Sequence, residues 1–86
     1  MPTISEFFGI LIRMYYDDHN PPHFHVYYGE YEAIMVIETM EMMKGELPQR
    51  VKILVMEWAI ENRQALLEDW HLAEHHQPLN TIQPLE

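Results

Sequence analysis

The sequence predicts an α+β fold, a small antiparallel β-meander of three to four strands packed on one or two C-terminal helices. Two observations carry this reading. Residues 9–38 are rich in β-branched and aromatic side chains and are interrupted by Gly29-Glu30, which has the composition of a two-residue hairpin turn. From Pro48 onward the apolar residues recur at the spacing of an amphipathic helix. At 86 residues the chain reads as one domain, with a sheet and histidine loop over 1–46, a helical part over 47–77 and an extended tail over 78–86.

Gly9 to Tyr16 reads as the first strand, with Arg13 interrupting its apolar run. After the histidine loop, His23 to Tyr28 is the second strand and Tyr31 to Glu38 the third. A turn near Thr39-Met40 sends Glu41 to Lys44 back as a short fourth strand, closed by Gly45. Pro48 suits an early helical position, and Val51, Leu54, Val55, Trp58 and Ala59 define an apolar face that runs to about Glu61. The pattern resumes at Leu66, Trp70 and Ala73 and continues to His76. One straight helix of that length would overhang so small a domain, so a kink or short break is expected at Asn62-Arg63. Gln77-Pro78 ends the helix, and Leu79 to Glu86 is expected to run extended along the sheet. Trp58 and Trp70 read as core anchors, His75-His76 as a helix cap, and Glu61, Glu68, Asp69 and Glu74 as a solvated helix face.

Composition narrows the function. With no cysteine there is no disulfide framework and no thiolate metal site, so a metal would be held by histidine and carboxylate alone. A net charge of -9 with five Lys and Arg residues disfavours non-specific nucleic-acid binding and fits a basic protein partner better. Lys44, Arg50 and Lys52 form a local cationic spot. No apolar run approaches the roughly 20 residues that span a bilayer. Glu6 stands where a signal peptide would be basic, so no membrane association and a cytoplasmic location are expected. A chain this short buries a modest core, and assembly as a homo-oligomer or with a partner would add stability.

Asp17-Asp18-His19-Asn20-Pro21-Pro22-His23-Phe24-His25 concentrates three of the six histidines in nine residues. The prolines fix the loop, and the His-Phe-His alternation puts His23 and His25 on one face of a strand. The hairpin turn then sets a register: Tyr28 opposes Tyr31, Phe24 and Val26 share a core face with Met35 and Ala33, and His23 and His25 share the other face with Val36 and Ile34. If Ile10, Ile12 and Met14 join the core, Leu11, Arg13, Tyr15 and Tyr27 lie on the histidine face. Two chemistries fit these residues. His19, His23 and His25, with Asp18, could ligate zinc or copper. Alternatively, His19, His23 and His25 with Arg13 could cleave RNA without metal, one imidazole taking the ribose proton, another protonating the leaving oxygen and Arg13 steadying the phosphate. A bland alternative is a polar loop whose imidazoles simply hydrogen-bond to Asp17, Asp18 or backbone. Leu11, Tyr15, Tyr27, Ile34, Val36 and Met43 make the same face a candidate interface.

Met-Pro-Thr-Ile, Phe8-Gly9-Ile10, Met14-Tyr15-Tyr16, Asp18 to His25 and Tyr28-Gly29 resemble the bacterial domain-of-unknown-function-4160 family, as do Leu47-Pro48, Trp58-Ala59 and Leu66, Leu67 and Trp70. The resemblance covers nearly the whole chain. It implies a short protein often encoded beside another small protein, an arrangement similar to toxin-antitoxin pairs, and it implies no catalytic residue. The family pattern usually has Gly in the turn where this chain has Met40. The leading expectation is therefore a toxin-like component with a histidine-based nucleic-acid-cleaving or metal-assisted site, its partner a small protein from the same operon. The other expectation is a non-catalytic antitoxin-like or adaptor module that binds its partner through the histidine face.

Overall fold

The computed structural model describes residues 2–86. Five strands form one antiparallel sheet in the order β1-β2-β3-β4-β5, followed by two helices. These are β1 Thr3–Phe7, β2 Ile10–Arg13, β3 His23–Tyr28, β4 Tyr31–Val36, β5 Met42–Gly45, α1 Gln49–Glu61 and α2 Arg63–Glu74. The α+β class and the meander are as the sequence predicts, but the strand count is five rather than three to four. The extra strand is β1, hidden by its turn. Phe8 and Gly9 both have positive φ, 51° and 77°, the left-handed pair of a type I′ hairpin turn. An exposed Phe in the first of those positions is not a turn signal, so Gly9 reads from sequence as the start of a strand.

The β3–β4 register is the expected one: His23, Phe24, His25 and Val26 oppose Val36, Met35, Ile34 and Ala33. Parity then builds the core. Ile10, Ile12, Met14, Phe24, Val26 and Met35 pack with Val51, Val55, Trp58, Leu66 and Trp70 of the helices in one buried cluster. Asn62 makes the break between helices. Its N–H donates to the carbonyls of Trp58 and Ala59, closing α1, while its own carbonyl accepts the Leu66 N–H, opening α2. The second helix ends at Glu74, two residues short of the expected His76.

The tail serves one edge of the sheet. Ile82 is buried and donates its N–H to the Ile4 carbonyl at 2.7 Å, and the Trp58 Nε1–H donates to the Gln83 carbonyl at 2.8 Å. Asp69, expected on a solvated face, is instead fully buried, its Oδ1 accepting the Asn80 N–H at 2.8 Å. Periodicity places Asp69 beside Trp70 at the helix border, and the tail then closes over it.

Two rows of side chains cross the other face of the sheet. One runs Glu6, Leu11, Tyr27, Glu32 across β1 to β4; the next runs Thr3, Arg13, His25, Ile34, Lys44 across all five strands. A β-bulge near Ile34 brings Lys44, not Met43, opposite Ile34. Met43 is the unpaired residue at the bulge and is exposed.

Candidate metal centre

The loop between β2 and β3 folds back so that one carboxylate meets two imidazoles. His23 Nε2 lies 2.9 Å and His25 Nε2 3.1 Å from the same oxygen, Asp18 Oδ2. Asp18 is itself held by its neighbour, since the His19 N–H donates to Oδ1 at 3.0 Å. Burial pushes the Asp18 carboxyl up, but hydrogen bonds from His25 and the His19 amide, with the charge and hydrogen bond of His23, outweigh it and hold the group below its usual range.

The other nitrogen of His23 is fixed as well. Nδ1 lies 2.8 Å from the Pro21 carbonyl, which can only accept, so Nδ1 carries a proton and donates. Nε2 then faces a carboxylate oxygen. A hydrogen bond at 2.9 Å needs one proton shared between these two atoms, and a metal ion held by both would take the place of that proton. An imidazole whose Nδ1–H is tied to a backbone carbonyl and whose Nε2 faces other ligands has the arrangement of a metal-binding histidine. His25 Nδ1, by contrast, is buried without a partner among the described residues. Buried polar atoms are nearly always satisfied, so His25 Nδ1 stands out, but it is not the nitrogen that faces Asp18.

Ligand atoms of Asp18, His23 and His25 all lie within 4.8 Å of one another. A tetrahedral zinc with bonds near 2.05 Å separates its ligand atoms by about 3.3 Å, and Asp18 Oδ2 lies close to that spacing from both nitrogens, at 2.9 and 3.1 Å. These residues fit zinc.

Not every candidate residue joins them. His19 is exposed and contributes its backbone N–H rather than its ring, so the third group of the trio is Asp18. Arg13 opposes His25 across the strands, but its guanidinium lies over the Tyr27 ring, 5.1 Å from the centroid, and its Nε donates to Thr3 Oγ1. Tyr15 meets the His25 ring edge-on at 4.5 Å and shares a 2.6 Å hydrogen bond with the Tyr27 hydroxyl. Burial and the Tyr15 hydrogen bond raise the Tyr27 hydroxyl above its ordinary range, keeping it a neutral donor or acceptor. Leu11, Ile34 and Val36 are half-buried on this face.

Two contributors escape the sequence reading. Trp70 reaches around the end of the sheet to the His23 ring, centroids 5.2 Å apart, which explains why His23 is only 4% exposed although parity sets it on the face opposite the helices. His76 pairs with Asp17 at 2.9 Å and stacks on Tyr16, tying the end of α2 to the histidine loop, while His75 Nδ1 donates to the His71 carbonyl as a cap. The His-His pair is thus half cap and half loop anchor.

A family model described as Domain of unknown function (DUF4160) matches residues 9–71, a span that contains the loop, both histidines and most of the helices. The chain belongs to this family. The match places Asp18, His23, His25 and Trp70 inside the DUF4160 region, whereas β1 and the tail that covers its edge lie outside it. No curated protein matches this DUF4160 chain, and no solved structure matches it. Among the described residues no helix is long and apolar enough to cross a membrane.

Proposed function

We propose that this DUF4160 protein binds a divalent transition metal, of which zinc fits best, through Asp18, His23 and His25, and that it acts as the toxin-like member of a two-gene module by metal-assisted hydrolysis. The observation that carries this is the convergence of two imidazole Nε2 atoms on one carboxylate oxygen, with the second nitrogen of His23 already spent on the Pro21 carbonyl. Three protein ligands leave a tetrahedral ion its fourth position for water, whose pKa falls toward about 7 on zinc. A metal-free ribonuclease reading is weaker. It needs two imidazoles turned toward substrate, and here both reactive nitrogens point at Asp18 while His23 is almost entirely buried. The two-gene setting rests on the family resemblance alone.

The test is growth on induction of this chain without its neighbouring gene, together with hydrolysis of a bis-aryl phosphodiester by the zinc-loaded protein. Growth arrest and hydrolysis, both lost in His23→Ala and Asp18→Ala while circular dichroism is unchanged, would support the reading. Toxicity that survives both substitutions would refute it.

A non-catalytic, partner-binding role is the second reading. It is favoured by the sheet face that carries Leu11, Tyr27 and Ile34, over which neither helix packs.

A further inference from the structure

We infer that the open face of the sheet is the docking surface for a second copy of this chain, paired about a two-fold axis that sets Glu6 and Glu32 of each copy against Arg13 and Lys44 of the other. None of these four residues is a ligand of the proposed metal centre, although His25 lies between Arg13 and Ile34 in one of the two rows.

The first support is charge. The chain carries -9 overall, yet the two rows that cross this face hold two carboxylates, Glu6 and Glu32, and two cations, Arg13 and Lys44. Two copies of so acidic a protein repel each other through most of their surface. Apart from Asp18, whose carboxylate is held against His23 and His25 on the same face, the two rows are balanced, so a second copy meets less repulsion there than over the rest of the surface.

The second support is the order of those charges. Both carboxylates lie in one row and both cations in the next, with Glu6 and Arg13 on adjacent strands and Glu32 and Lys44 on adjacent strands. A two-fold axis lying between facing sheets, running across the strands and midway between the rows, lays each row over the other row of the second copy. Every carboxylate then comes within one strand spacing, about 4.8 Å, of a cation across an inter-sheet gap of about 10 Å, which long side chains of both kinds can bridge. The pattern is complementary to itself, as a two-fold interface requires. Between the charged ends, Leu11, Tyr27 and Ile34 supply an apolar middle, the arrangement of a buried centre inside a polar rim.

Arg13 fits this role. Among the described residues its guanidinium makes no ion pair, although the chain has 14 carboxylates, and it is held over Tyr27 at the surface of this face.

Sedimentation equilibrium of the purified chain tests the inference, with circular dichroism to verify folding. The wild-type protein should be dimeric. Glu32→Lys and Lys44→Glu should each raise the dimer dissociation constant by about tenfold or more, and the double swap should recover most of the loss, because the pair is restored with its signs exchanged. Ile34→Asp should also dissociate the dimer while the monomer remains folded. A wild-type chain that stays monomeric overturns the inference, as does a dimer indifferent to the single swaps or a double swap that restores nothing. Zinc titration of the swapped variants reads the metal centre separately, so failure of one account is not mistaken for failure of the other.

Discussion

Trp70 of α2 packs against the ring of His23 across the end of the sheet, with ring centroids 5.2 Å apart and planes inclined at 52°. This contact joins the helical half of the molecule to the histidine loop. It seals the inner wall of the Asp18–His23–His25 centre and leaves the core and the site sharing one side chain.

Trp70→Ala should therefore affect both stability and metal binding. Truncating a buried aromatic costs about 3–5 kcal/mol, a large part of the stability of a domain this size. Denaturant unfolding measures the first effect. In Trp70→Phe, which keeps a ring at the position, stability should largely return and zinc affinity with it; restored stability without restored affinity would mean that Trp70 has a role in the centre beyond packing.

Asp69 gives a pH prediction of definite sign. Burial raises its carboxyl above the ordinary range, only partly offset by the Asn80 N–H, and Glu68 raises it further. The folded state thus holds the proton more tightly than the unfolded state. Its contribution to stability is full below the unfolded pKa, near 3.9, and is lost as pH rises through the higher folded value. Asp69→Asn keeps an oxygen for the Asn80 N–H and removes the buried charge. The variant should be more stable than the wild type at pH 7, with the gap closing as pH falls toward 4; a gap that is constant with pH would show that Asp69 is not the titrating group.

Gly45 and Gly29 both have positive φ, yet they should respond differently to alanine. A Cβ on Gly45 would collide with the Glu32 carbonyl oxygen and crowd the Ala33 backbone, whereas a Cβ on Gly29 meets nothing within 4 Å. Gly45→Ala should cost clearly more than the ~1 kcal/mol of conformational strain expected for Gly29→Ala. Equal midpoints in urea for the two variants would contradict the close β4–β5 approach.

Much of this structure can be read from the sequence, for identifiable reasons. The Gly29-Glu30 turn is short and its flanks are strongly β-forming, so one hairpin fixes the pairing of His23 and His25 and their shared face. The Asn62 break follows from helix length against domain size. The Phe8-Gly9 turn gives no such signal, because an exposed Phe in left-handed conformation is unusual, and β1 is hidden with it. Met40 shows the same effect from the other side: its φ of 61° is a geometry that favours glycine, yet here a buried Met side chain occupies it. In the site, strand parity brings His23 and His25 together. It says nothing of loop direction, and so it cannot tell that Asp18 rather than His19 completes the trio, nor that Trp70 bends round to cover His23.

The most direct test of the central claim is calorimetric titration of zinc into the apo-protein at neutral pH, with His19→Ala, His23→Ala and Asp18→Ala alongside. The structure predicts one ion per chain, a binding isotherm that His19→Ala leaves nearly unchanged, and its loss in His23→Ala and Asp18→Ala. Absence of binding to the wild type, or binding that depends on His19 and survives removal of His23, would contradict the centre described here.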